Sequence, residues 1–305
     1  MLAYVVRRLL HAVLVVVGVA TVVFCLARLS GDPAKLLLPP DATLEQLAVL
    51  RAQLGLDRPV WVQYADYMAS LARLDLGESL YFEAPVWELI VERLPATLFL
   101  GGAALLIALA VAVPAGLLAA TRRGSFVEGI VQIGVLIGQS TPPFWVGIVL
   151  ILIFSVNLGM FPTGGMSGYA SLVLPAVTLA FYLMAMMARL LRSSMLDVLH
   201  EDYIRSARAK GASGVAVITR HAMRNAMIPT VTVLGLEIGG LFGGAVVTEN
   251  VFAWPGVGSL IVEAINNRDY PLAQGIVVVL AVIFVLVNLL VDLFYSVLDP
   301  RVAYQ

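Results

Sequence analysis

Hydrophobic residues in this chain gather in long blocks, and most polar residues fall between them. Six blocks lie at 9–29, 96–120, 130–156, 172–191, 227–248 and 275–297. Each offers about 20 mainly apolar residues, the length a helix needs to cross a bilayer. The first follows Arg7 and Arg8 and runs to Leu29. That is longer than the apolar core of a cleavable signal, and no small-residue cleavage pattern follows, so a retained first span is expected. Pro142 and Pro143 interrupt the third block. Proline removes a helix hydrogen bond, which predicts either a packing kink or a moving element.

The polar stretches have patterns of their own. Residues 30–95 hold ten acidic and five basic residues and read as short amphipathic helices. Thr43 and Gln46 have capping-box spacing, Leu44, Leu47, Leu50 and Leu54 form one stripe, and Gly55 fits a helix stop. A second short helix is expected to turn Trp61, Tyr64, Met68 and Leu71 to one face, and a third leads from Pro85 into the second span at Pro95. This segment is expected to be either a structural cap or a docking surface for another protein.

The segment from Asp202 to Pro229 has a different grammar. It carries Arg205, Arg208, Lys210, Arg220 and Arg224 between two apolar blocks. Asp202 suits the first turn of a helix, where the dipole favours an acid. Tyr203, Ala207 and Lys210 fall near one face, and Gly211 permits the backbone angle that ends it. A second helix is expected from about Ser213 to Asn225, ending near Pro229, where the fifth span begins. Taken alone, such a hairpin is either an anchor for anionic lipid headgroups or a rigid handle for another protein.

Composition agrees with a polytopic membrane protein. Of 305 residues, 60% are hydrophobic and 13% charged, against roughly 25% charged in soluble domains. A net charge of −1 gives no field for nucleic acid. Twelve cationic residues, from Arg7 to Arg301, fall on one side of the predicted spans, and the short loops of the other side carry only Arg268. Both termini and the 202–229 segment are therefore expected in the cytoplasm.

Little in the chain predicts chemistry. A phosphate-binding P-loop needs a glycine-rich turn ending in lysine and a hydroxyl residue. The two lysines, Lys35 and Lys210, fit no such loop. No catalytic residue is assigned. The string Gly165–Gly168 matches a Gly-x-Ser-Gly pattern, but Ser167 is expected on the side away from the three histidines and so lacks a general base. His11, His200 and His221 do not cluster with other ligands, so no metal site is expected, and the single Cys25 reads as a small core residue. Two acids sit in apolar blocks. Glu237, in the fifth, either lines a polar path or makes a structural hydrogen bond, and Asp292 is one turn beyond Asn288 in the sixth. Two acids make a thin proton relay, although an ion-coupled carrier or channel remains the alternative reading. Gly235, Gly239 and Gly243, with Gly240 and Gly244, repeat at the spacing that lets helices approach closely.

The hairpin resembles the cytoplasmic loop of binding-protein-dependent ABC importer permeases, whose pattern is Glu-Ala-Ala, three residues, then Gly. With the glycine on Gly211, the first positions fall on Arg205, Ser206 and Ala207, and only the second alanine is kept. The downstream Leu-Pro pair of that pattern falls on Met223 and Arg224. The variant "DYIRSARAKG" followed by "HAMRNAMIP" is similar to the dipeptide/oligopeptide branch. So, in the same order along the chain, are "MLAYVVRRLL", "LSGDPAKLL", "LGLDRPVWVQYADYM", "ERLPATLFL", "STPPFWVGI", "VTENVFAWPGVGSLIVEAINNRDYPLAQG" and "DLFYSVLDPR".

The resemblance implies an all-α permease of the type I ABC importer fold with six transmembrane helices. Its parts would be an N-terminal span (1–29), a periplasmic helical segment (30–95) and a five-span core (96–305) with its cytoplasmic loop at 192–226. It implies a second, related permease, two cytoplasmic ATPases that bind ATP and magnesium, and a periplasmic or lipid-anchored solute-binding protein. The substrate would be a di- or oligopeptide or glutathione, with nickel chelates known for some members. Asp202, Tyr203, Arg205, Ala207, Arg208, Lys210 and Gly211 would then form the coupling helix. Glu237, Gly239 and Gly243 are expected on the translocation path, and Trp254, Pro255 and Gly256 in an outer gate or docking site.

Overall fold

The computed structural model describes residues 2–29, 43–53 and 55–298. The helices are α1 (Leu2–Leu29), α2 (Leu44–Gln53), α3 (Val60–Ala72), α4 (Val86–Thr121), α5 (Phe126–Ser140), α6 (Pro143–Asn157), α7 (Tyr169–Leu199), α8 (Asp202–Ala209), α9 (Gly214–Val251), α10 (Val257–Asn266) and α11 (Tyr270–Leu298). No strand forms among the described residues, and Glu78 pairs with Pro85 only as an isolated bridge. Among the described residues, five helices are long and apolar enough to cross a membrane, and the pair α5–α6 makes a sixth if counted as one broken span.

The break between α5 and α6 measures 110°. Its cause is local. A residue before proline is pushed out of the helical region, and here that happens twice. Thr141 takes ψ 127° before Pro142, and Pro142 takes ψ 137° before Pro143. Pro143 then starts α6 at the position where a missing N–H costs nothing. The third block is thus two helices at an angle, which is more than a kink.

The centre of the molecule is the seam between α4 and α7. Ala96, Leu100, Ala104, Ala108, Ala112, Gly116 and Ala120 recur every fourth residue along α4, so they share one face. All are buried. Opposite them lie Ala176, Ala180, Leu183, Met187 and Ala188 of α7. In lipid, helices gain no hydrophobic energy by meeting, so close packing of small side chains holds them. At Gly116 a Cβ would lie 2.8 Å from the Ala188 carbonyl oxygen. The close approach expected of the α9 glycines is therefore found on α4 as well. On α9 itself, a Cβ at Gly239 would meet Phe284 at 2.4 Å, whereas one at Gly243 would meet nothing within 4 Å.

Several predicted boundaries move. The helix that carries the second span begins at Val86, ahead of Pro95, because Val86 and Ile90 are fully buried against Val257, Leu260 and Ile276 and hold the first turns helical. The helix of the fifth span likewise begins at Gly214 and runs through Pro229. Pro229 is exposed while Ala226 and Thr230 on either side are buried, so packing of its neighbours carries the helix past it. Cys25 is exposed, where a core position was expected.

Of the 30–95 stretch, residues 43–53 and 55–95 are described. The capping box forms: Gln46 N donates to Thr43 Oγ1 (3.2 Å) and Thr43 N to Gln46 Oε1 (2.8 Å). Gly55 has φ +64° as a helix stop requires, while Leu54 of the stripe lies outside the described residues. On α3 the expected face is shifted: Trp61 is exposed, and Gln63 is buried with its Nε2 donating to the carbonyls of Leu56 and Arg58. Tyr64 packs on Phe24 and shares a 2.7 Å hydrogen bond with Thr21, fastening α3 to α1. Asp269 caps α11 through Leu272 N and accepts from Ser79 Oγ and Tyr81 N, tying the turn before α4 to the start of α11.

Candidate functional site

The predicted hairpin forms at one end of the bundle. α8 is only eight residues long, too short to be stable alone, so its position depends on contacts. Ile204 supplies them. It is fully buried in a cluster with Ala120 at the end of α4, Leu191 and Met195 at the end of α7, and Val217, Ala222 and Ala226 at the start of α9. Burying an isoleucine of this kind stabilises by about 1.5–3 kcal/mol. Tyr203 adds a lateral tie, its hydroxyl accepting from Asn225 Nδ2 at 2.7 Å.

The stop after α8 follows from glycine. Gly211 has φ +84°, a region closed to most side chains. Its N–H donates to the Arg208 carbonyl (3.0 Å), and the Ala212 N–H reaches back to that of Ala207 (3.2 Å). These are the two bonds of a left-handed helix cap. Two residues on, Ser213 starts α9, its Oγ accepting from Ala216 N. The turn is therefore short and hydrogen-bonded at both ends. The structure brings the seven predicted coupling residues onto one element and its cap. Asp202 and Arg205 pair across a turn at the exposed surface, Arg208 and Lys210 are exposed, and Ala207 is half-buried. Ile204 and Asn225 escaped the sequence reading. The apolar residue alone in a basic octapeptide was the available signal for Ile204.

Near the same end, the buried Glu128 of α5 accepts from Arg192 of α7 and from Gly124 N. A second fastening therefore joins the ends of these spans.

The opposite end holds a denser lock. Glu249, fully buried near the end of α9, accepts from Thr97 Oγ1 (2.7 Å) and Ser259 N (2.9 Å), and Thr97 Oγ1 accepts from Val257 N (2.8 Å). Trp254 is buried, and its Nε1 donates to the Ala96 carbonyl at 3.0 Å. A Cβ at Gly256 would lie 2.2 Å from the Glu249 carboxylate, so only glycine fits. Of the three residues expected in an outer gate or docking site, Trp254 and Gly256 are thus interior and Pro255 is half-buried. Glu249 and Thr97 were missed. They lie 152 residues apart, and nothing local pairs them.

Glu237, Gly239 and Gly243 do not converge. Gly239 is buried against Phe284, while Gly243 shares an open face of α9 with Leu236, Gly240 and Val247. Glu237 is half-buried at the edge of that face and makes no hydrogen bond among the described residues. The Asp292 side chain is outside the described residues. Ser167 is exposed near Phe252, at the end away from His200 and His221. No cluster of metal-ligating residues occurs among the described residues.

Comparison with known proteins places these features in a wider group. The family model described as "Binding-protein-dependent transport system inner membrane component" matches residues 112–304, and the model of its N-terminal part matches residues 1–101. The dipeptide transport system permease protein DppB of Escherichia coli is 40% identical over the full length of both chains. The glutathione transport system permease protein GsiC of Salmonella typhimurium is 41% identical, again over the whole of both. Among solved structures, the inward-facing MetNI methionine ABC transporter superposes with a TM-score of 0.59 at 19% identity, covering 70% of this chain and 97% of that one. The crystal structure of an amino acid ABC transporter with histidines gives 0.53 at 16% identity, covering 70% and 94%.

Proposed function

The chain belongs to the family of binding-protein-dependent transport system inner membrane components, and from that premise we propose that it is the permease subunit of an ATP-driven importer of small peptides, dipeptides or glutathione. The carrying observation is full-length identity of 40–41% with permeases for those two substrate classes. We take the hairpin end as cytoplasmic, in line with the arginines there, and both termini with it.

In this reading α8 is the coupling helix. It seats on one of two cytoplasmic ATPases, which bind ATP and magnesium and carry out the hydrolysis. Tyr203, Arg208 and Lys210 offer the exposed contacts. Closure of the ATPases presses on α8. Ile204 is embedded in residues of α4, α7 and α9, so α8 cannot move without moving the ends of three spans. The access path opens to one side and then the other. A second, related permease completes the path, with the open face of α9 around Gly240 and Gly243, and Glu237 at its edge, turned toward it. The lock around Trp254, Pro255 and Gly256 serves as the fixed part of an outer gate. Exposed Leu44, Trp61 and Tyr81 in the 30–95 segment suit docking of a solute-binding protein.

The test is purification of the tagged chain from its native membrane in mild detergent, with identification of every co-purifying protein. A second six-span permease and P-loop ATPases are expected. A chain that emerges alone, under conditions that preserve other membrane complexes, contradicts the proposal.

A further inference from the structure

Two cavities, with no lining residue in common, follow one another along α1, α3 and α11. The lining residues recur every three or four positions on each helix, so each contributes a single face. From α1 come Val13, Val17, Ala20 and Phe24; from α11, Gln274, Val278 and Val282. From α3 come Gln63, Tyr67 and Leu71. The pair therefore runs from the end where α3 crosses α1 down to mid-span.

Its two parts differ in chemistry. The upper chamber, about 180 Å³, is lined by Gln63, Tyr67 and Gln274, together with Arg28, which also lies over the Phe24 ring at 5.3 Å. Gln63 is 9% exposed, and its Oε1 has no partner among the described residues. The Tyr67 hydroxyl is buried and likewise unpartnered. Burial, with Tyr64 nearby, pushes its pKa up to about 12, so it keeps its proton. One orphan acceptor and one orphan donor thus line one small chamber. Buried polar atoms left this way are costly, and each calls for a hydrogen-bonding partner.

The lower chamber, about 840 Å³, is lined by apolar residues alone. It has no polar groups to hold water beyond the Trp87 indole, and water needs two to four partners. At roughly 30 Å³ for a water-sized group, it holds on the order of 28 methylenes, the hydrocarbon of one to two acyl chains. Trp87 lines it while remaining 57% exposed, as a residue at the membrane–water interface does.

We propose that the two cavities act as one groove, a binding site for one phospholipid of the leaflet opposite the hairpin end. Its acyl chain fills the apolar chamber, and its headgroup donates to Gln63 Oε1 and accepts from the Tyr67 hydroxyl. Those two demands select a headgroup with both phosphate and hydrogen-bond donors, such as ethanolamine or glycerol. The apolar side chains of a crossing helix from another protein do not meet them.

Photo-crosslinking tests the proposal. The full chain, with its native partners, carries a diazirine residue at Val282 inside the groove or at Leu14, which is 70% exposed on α1. Illumination follows extraction into mild detergent and washing. A phospholipid adduct is expected at Val282 and absent at Leu14. Equal adducts at both sites, a polypeptide adduct at Val282, or detergent only at Val282 would overturn the site. Tyr67→Phe breaks no hydrogen bond within the described chain, so it leaves the fold intact. It should lower retained phospholipid by a factor of about 2–10, the worth of one hydrogen bond. Unchanged retention in that variant contradicts the headgroup placement.

Discussion

Gly211 holds the left-handed backbone that lets α8 turn into α9, and no atom stands within 4 Å of where its Cβ would be. A substitution there is strained by conformation and meets no clash. Gly211→Val should cost about 1–2 kcal/mol and uncouple ATP hydrolysis from uptake in a reconstituted complex that still assembles. Gly211→Asn should retain most uptake, since asparagine visits this region. Wild-type uptake in the valine variant contradicts the role. Ile204 offers a sharper contrast. Ile204→Ala should lose about 2–5 kcal/mol and lower the thermal unfolding temperature in detergent, while Tyr203→Phe removes one hydrogen bond worth about 1 kcal/mol. At the far end, Glu249→Ala leaves the Thr97 hydroxyl and the Ser259 N–H unpaired, at about 1–3 kcal/mol each. The same melting experiment should rank it well below Glu249→Gln, which keeps one acceptor.

At the scale of elements, the seam of α4 and α7 sets the geometry that the two ends share. Gly116→Ala places a methyl 2.8 Å from a carbonyl oxygen of the facing helix, and overpacking of this kind costs typically 1–3 kcal/mol. Gly243→Ala meets nothing within 4 Å among the described residues and should leave the isolated subunit unchanged. If it weakens recovery of the second permease, the open face of α9 is the interface. Recovery and stability both unaffected would remove that face from the account. Elements of this kind were legible to different degrees. The spans, the break at Pro142 and Pro143, and the Thr43–Gln46 cap depend on neighbours in sequence, and each could be read locally. The Glu249–Thr97 and Glu128–Arg192 contacts join residues 152 and 64 positions apart. No periodicity encodes such pairs. The alanine stripe of α4 was visible as spacing, but its partner was not, and glycine-rich α9 drew the reading instead. Ile204 shows the same limit at the hairpin, where basic residues marked the segment and the anchor became clear only from what surrounds it.

For the whole molecule, the hairpin and the Glu249 lock sit at opposite ends of the same long helices. α9 carries both, with α8 packed on its first turns and the lock in its last. In the proposed coupling, a push on α8 would travel along α9 to the far end, where Glu249 and Thr97 hold α9, α10 and α4 together. This makes the contact of α8 with an external ATPase the central claim. Site-specific photo-crosslinking from position 208, in native membranes, tests it most directly. Capture of a P-loop ATPase, with a yield that changes when ATP is added, is the predicted result. Capture of lipid alone, or of no polypeptide, from a chain that still resides in the membrane would contradict it.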